Sequence, residues 1–144
     1  MTASRGEAGS PGAPALCPPD ELPIIREQEL RCACEALGLA PPILLNYPDG
    51  QLSSINPNEI LSSLLDVIDR IQRYSIISFG KDGLSGHPDH IAISQYALEA
   101  FHKREELRAF YTLAVPLSIA EELRMTQIQA IPDEQISKKN DDPF

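Results

Sequence analysis

Ser75-Ile-Ile-Ser-Phe79, Gly80-Lys-Asp-Gly-Leu-Ser-Gly86 and His87-Pro-Asp-His90 follow one another without interruption. The first is a short β-type run and the second a glycine-rich loop. The third opens a helix-like run from Ile91 to His102, with Pro88 suited to the first turn. Strand end, loop and helix start, in that order, is where α/β proteins place ligand chemistry. Two of the three histidines of the chain fall within Gly86 to His90, with an acid between them.

Outward from this stretch, strands alternate with helices. Asp20 to Leu37 predicts a helix with Leu22, Ile25, Glu29, Ala33, Ala36 and Leu37 on one side and Gly38 as terminator. Pro41-Pro42 breaks the chain, Ile43-Leu-Leu-Asn46 predicts a short buried strand, and Tyr47-Pro-Asp-Gly50 a turn. Asn56-Pro57-Asn58-Glu59 is a helix start: Asn56 caps, Pro57 takes the first helical position and Glu59 closes a capping box. Ile60, Leu61, Leu64, Leu65, Ile68 and Ile71 form the buried stripe of a helix running to about Arg73. With a strand at 75–79 directly after it, this predicts one βαβ unit with its two strands parallel. A helix over about 88–103 has Ile91, Ala97, Ala100 and Phe101 as candidate buried positions. A third strand lies in Ala109 to Val115 and ends at Pro116, a short helix spans Leu117 to Arg124, and Thr126 to Ile131 is a candidate fourth strand.

The expected class is therefore α/β, a three-layer domain with a mostly parallel sheet. Residues 1–19 read as loop, with Met1 to Glu7 as the tail of a strand. Residues 20–136 form the domain, and 137–144 a polar, flexible tail.

The 144 residues suffice for a sizeable core, and 42% of them are hydrophobic, ordinary for a soluble globular protein. The formal charge of −9 argues against nucleic-acid binding, which needs a basic face to displace counterions. Cys17, Cys32 and Cys34 are odd in number and lack paired spacing, which points to a reducing compartment. Cys32 and Cys34, two apart on a helix, face different ways, so no shared metal or disulfide is expected there, and with no histidine neighbour in sequence a thiol or redox enzyme ranks last among the readings. No apolar run approaches the roughly 18 residues of a membrane span, and Met1 is not followed by an apolar signal core. The expected location is the cytoplasm.

His87 and His90 stand three apart across a helix start and can face one site. Neutral imidazole is a common zinc ligand, and Asp89 can either ligate or fix the tautomer of a neighbouring histidine. A catalytic zinc takes about three protein ligands, and His102, at the far end of the same helix, cannot join these two. The plain alternative is that His87 caps the helix while Asp89 complements its dipole.

Taken together, several segments resemble the LmbE/PIG-L family of zinc-dependent N-deacetylases. They are Ser4-Arg-Gly-Glu-Ala-Gly9; Arg26-Glu-Gln-Glu-Leu30 with Ala33 and Leu37-Gly38; Tyr47-Pro-Asp-Gly50; Phe79-Gly80; and Gly86-His-Pro-Asp-His90. The match runs from Arg5 to about Ile136. It implies a Rossmann-like α/β/α fold and removal of an acetyl group from an N-acetylglucosamine-type substrate or glycoconjugate. In such enzymes a zinc-bound water, its pKa lowered to ~7, attacks the amide. By the same resemblance His90 is a zinc ligand, and His87 stabilises the oxyanion or donates a proton. Asp89 supports a histidine, while Arg26 and Asp49 face substrate. For the last two, a surface cation on a helix and a turn acid are equally good readings. The resemblance also implies a homo-oligomer.

The family's other motif, A-H-P-D-D-E, supplies the second zinc histidine, the zinc aspartate and the aspartate base; it does not occur in this sequence. By analogy Met1 falls at the end of the family's second strand, so the first strand and helix are expected to be missing, with the zinc site incomplete and the activity impaired. The rival expectation is a non-catalytic α/β fragment, or gene remnant, that binds a partner through an uncovered sheet edge.

Overall fold

The computed structural model describes residues 1–72 and 74–136. Arg73, the expected end of one helix, and the expected tail 137–144 lie outside the described residues. The chain divides into two compact units, Met1–Ser54 and the residues from Ile55 onward.

The first unit contains helix α1, Leu22–Ala36. The expected strand at 43–46 is a single parallel bridge between Leu44 and Thr2. Around it the Thr2 amide donates to Ile43 (2.9 Å), the Leu45 amide to Thr2 (3.0 Å) and the Tyr47 amide to Ala3 (2.9 Å). The strand-like reading of the first residues thus meets its partner in the 43–46 segment. The expected buried face of α1 holds at its start, where Leu22 is buried and Ile25 half-buried, and is corrected beyond it. Glu29, Ala33, Ala36 and Leu37 are exposed, and the half-buried side carries Pro23, Glu27, Leu30 and Cys34. Alanines offer little apolar area to bury. Glu27, by contrast, binds Arg5 Nε at 2.8 Å and Arg31 Nη2 at 2.6 Å, and Arg5 also donates to Asn46. Those bonds draw the Glu27 side of α1 onto the N-terminal segment.

The second unit begins with α2, Pro57–Ile71, whose Asn56 cap accepts from the Asn58 amide at 3.0 Å. Its buried residues are Ile60, Leu61, Leu64 and Val67, with Ile60 and Leu64 fully enclosed. Val67 takes the place expected for Ile71, which is exposed in the last turn. Strand β1, Ser75–Ser78, helix α3, Pro88–His102, and strand β2, Ala109–Thr112, complete the central motif. β1 and β2 are parallel and in register from Ser75 opposite Ala109 to Ser78 opposite Thr112. The paired βαβ unit is therefore built around α3, whereas the sequence suggested one around α2. α2 packs on α3, and α3 packs on β1. Arg104 clamps Asp69 of α2 with two parallel bonds of 2.6 and 2.7 Å, and the guanidinium holds the Asp69 carboxyl below its usual range.

Helix α4, Leu117–Glu122, follows, and α5, Asp133–Ile136, closes the described chain. The expected fourth strand, Thr126 to Ile131, is not a strand. It makes one parallel bridge, Ile131 to Pro116, and extends no further in either direction: α4 begins at Leu117, and the Gln129 amide is donated to the Leu84 carbonyl instead. The fold is α/β with a small parallel sheet, as expected. On the sheet, Ile77 and Tyr111 stand opposite each other in register and are 71% and 55% exposed. No described helix is long and apolar enough to cross a membrane.

Candidate functional site

β1 ends at Ser78 and the chain enters two linked turns. The Gly83 amide donates to Gly80 at 2.9 Å, the Gly86 amide to Asp82 at 3.0 Å, and the Leu84 amide to Asp82 Oδ1 at 2.9 Å. Gly83 is buried with φ +66°, so it adopts a backbone that side chains disfavour. A Cβ there would lie 2.9 Å from the Ile91 amide nitrogen and 3.0 Å from His90 Cβ. Glycine is what lets the loop close onto the first turn of α3.

That turn carries His87, Asp89 and His90, which the structure brings together as the sequence implied. The two imidazole centroids are 4.9 Å apart. His87 caps α3, its Nδ1 accepting the Asp89 amide at 3.2 Å. In the neutral ring the proton then sits on Nε2, and exposed His87 presents an N–H donor to solvent. His90 is held the other way. Its Nδ1 lies 3.1 Å from the Gly83 carbonyl oxygen, which can only accept, so Nδ1 carries the proton and Nε2 of the neutral ring keeps its lone pair. Backbone partners thus assign opposite tautomers to the two histidines. One presents an N–H donor and the other a bare lone pair. Asp89 is 5% exposed at the start of the helix, and it orients His87 through its amide. The two sequence readings of His87, helix cap and chemical group, are compatible, because the cap uses only Nδ1.

Three further residues of this region had no site role read from the sequence, Phe79 entering only within the Phe79-Gly80 segment of the resemblance. Phe79 stacks on the imidazole with centroids 4.1 Å apart and planes 4° from parallel. Ser94, one turn along α3 and 5% exposed, donates to the Phe79 carbonyl at 2.7 Å. Gln129 is tied to the loop by its amide, 2.6 Å from the Leu84 carbonyl, and its Nε2 stands 3.4 Å from where a Cβ on Gly86 would be. Only the glycine content of the loop hinted at such close approaches.

Arg26 and Asp49 belong to the first unit. Arg26, on α1, is exposed and reaches Glu29 at 3.4 Å. The Asp49 carboxylate accepts from Ser4 Oγ at 2.9 Å and from the Ala8 amide at 3.1 Å, so it clasps the N-terminal segment. Among the described residues no group of three or more His, Cys, Asp or Glu side chains converges as a metal site.

A parallel sheet with a histidine pair at the loop-to-helix junction marks an α/β protein whose candidate site lies where β1 passes into α3. Residues 1–101 match the PIG-L family, described as GlcNAc-PI de-N-acetylase, and the chain belongs to that family. It is similar to a 1D-myo-inositol 2-acetamido-2-deoxy-alpha-D-glucopyranoside deacetylase of Kineococcus radiotolerans, 27% identical over 127 residues, covering 69% of this chain and 35% of that protein. A probable N-acetyl-alpha-D-glucosaminyl L-malate deacetylase 2 of Bacillus anthracis is 28% identical over 137 residues, covering 93% of this chain and 60% of the relative. A Rhodococcus erythropolis protein with the same name as the Kineococcus one is 36% identical over 100 residues, covering 56% and 34%. The chain thus spans between about a third and three fifths of the length of these relatives.

Proposed function

We propose that this chain carries the histidine half of a de-N-acetylase site that removes acetyl from an N-acetylglucosamine-containing glycoconjugate. The observation that supports this reading is the opposite tautomers of His87 and His90 on the family's H-P-D-H segment. His87 Nε2–H is the group that donates a hydrogen bond to the oxyanion formed when water adds to the amide carbonyl, while the departing amine takes up the proton that the attacking water releases. Fixed in place by the helix cap, His87 needs no reorientation as charge develops. His90 offers Nε2 as a ligand to zinc, which when bound would polarise the amide and activate water. Arg26 and Asp49 are proposed to contact the sugar. The cytoplasm and a homo-oligomer belong to the same reading.

The described residues fit one corner of a catalytic zinc site and not the usual set of three ligands. Turnover by the 144-residue chain alone is therefore expected to be impaired. The alternative, a non-catalytic binding module, draws on the exposed Ile77 and Tyr111 on the sheet.

The test is to add zinc and N-acetylglucosaminyl-inositol or N-acetylglucosaminyl-malate to the chain, measuring acetate release and the NMR signals of His87 and His90. Acetate release that disappears in His87→Ala and His90→Ala supports full activity. Perturbation of both histidines without acetate supports the impaired site. If neither zinc nor sugar moves either histidine, the deacetylase reading fails and the binding module takes its place.

A further inference from the structure

We propose that Phe79, Gly83 and Ser94 are positioning residues for His90, fixing both the plane of its ring and the nitrogen that carries its proton before any metal or substrate is present. The purpose assigned to this arrangement rests on the deacetylase reading; the arrangement itself does not.

Each residue restrains a different degree of freedom. The Gly83 carbonyl holds the Nδ1 proton at 3.1 Å and so leaves Nε2 as the bare nitrogen. The Phe79 ring, 4.1 Å away and within 4° of parallel, fixes the rotation of the imidazole about its Cβ–Cγ bond. Ser94 anchors that shelf by donating to the Phe79 carbonyl at 2.7 Å, just after β1 ends. Ser94 and His90 are four residues apart and share a face of α3, so the helix grips Phe79 twice, through its backbone and through its ring. Gly83 lies close against the start of α3, where any Cβ on it would meet the Ile91 amide nitrogen and His90 Cβ. A metal-ligating histidine needs this kind of support, because the partner of the other ring nitrogen sets tautomer and orientation. Here the support comes from a backbone carbonyl and an aromatic face.

Simple packing of Phe79 against His90 would fill space equally well but would not select a nitrogen. The readout is therefore the tautomer. The chain is labelled with 15N and kept metal-free at about pH 9, above the ordinary histidine range of ~6.5. Two-bond proton–nitrogen correlations then report which nitrogen of each imidazole is protonated. His90 is expected to favour Nδ1–H by roughly five- to tenfold, the bias of one net hydrogen bond. His87 is expected to show the opposite preference, and His102, at the far end of α3, serves as the folding control. Phe79→Leu and Gly83→Ala should bring the His90 ratio to within about twofold of even. Phe79→Tyr, which keeps the stack, should restore the wild-type ratio. Ser94→Ala should shift the ratio the same way as Phe79→Leu, and Ser94→Thr should not. Since Gly83→Ala strains the loop, the Phe79 pair decides the matter should that variant not fold.

The proposal is overturned if wild-type His90 favours Nε2–H. It is equally overturned if Phe79→Leu leaves the His90 ratio unchanged while His102 reports a native fold. Zinc is added in a separate arm. A preset His90 whose signals do not respond to zinc or sugar would sink the deacetylase reading and leave the positioning role standing.

Discussion

Gly83 and Gly86 allow a matched comparison within one loop. Both have a left-handed backbone, with φ of +66° and +74°. Replacing either with alanine incurs the left-handed cost of about 1–2 kcal/mol, partly offset by about 0.4–1 kcal/mol from a less flexible unfolded chain. For Gly86 the nearest obstacle is the end of the Gln129 side chain at 3.4 Å, which can move aside, so Gly86→Ala is expected to cost about 1 kcal/mol. For Gly83 the obstacles are the Ile91 amide nitrogen at 2.9 Å and His90 Cβ at 3.0 Å, both fixed by α3. Overpacking of this kind adds about 1–3 kcal/mol, bringing Gly83→Ala to about 2–4 kcal/mol. Urea unfolding followed by circular dichroism measures both variants on one scale, with equal slopes required for the comparison. If Gly83→Ala falls within about 0.5 kcal/mol of Gly86→Ala, the close approach of loop to helix described above is wrong.

His87→Ala should destabilise by about 1 kcal/mol through loss of the helix cap, whereas His87→Asn should stay within about 0.5 kcal/mol of wild type yet lose any acetate release, as thermal melts and product assays can show. Leu64→Ala, in the fully enclosed part of α2, should cost about 2–5 kcal/mol by urea unfolding; a cost below 1 kcal/mol would contradict the α2–α3 packing. Glu27, Asp69 and Asp133 all have carboxyls held below their ordinary range, by Arg5 and Arg31, by Arg104, and by Ser118 respectively. A depressed carboxyl stabilises the fold above its unfolded pKa, and that contribution disappears as pH falls through the lower, folded value. Melting temperatures recorded downward from pH 6 should therefore fall less steeply for Asp69→Asn than for wild type in the acid region below ~4.

The helices were legible because their signals are local. Asn56-Pro57 and His87-Pro88 mark helix starts that the structure reproduces, and the stripe through Ile60, Leu61 and Leu64 is buried as its spacing demands. The strands were less legible, since pairing depends on which segments meet. Ile43 to Asn46 and Thr126 to Ile131 have strand-like composition but, among the described residues, find one bridging partner each, Thr2 and Pro116. The face of α1 was misread for an electrostatic reason: spacing put Glu29 inward, while two arginines recruit Glu27. At the site, His87, Asp89 and His90 were readable from their types and spacing. The stack on Phe79, the carbonyl of Gly83 and the hydroxyl of Ser94 were not, because each acts through a contact across 7 to 15 residues that no periodicity encodes.

The capping of α3 by His87 has a kinetic consequence. The bond that satisfies the Asp89 amide is also the bond that fixes the His87 proton, and the same turn holds His90 against the Gly83 carbonyl. When the first turn of α3 frays, all of these restraints are released in one event. Readiness of the site is thus an opening equilibrium of a single helical turn, and hydrogen exchange at the Asp89 amide keeps its clock. Anything that slows exchange there lengthens the time for which both histidines are poised.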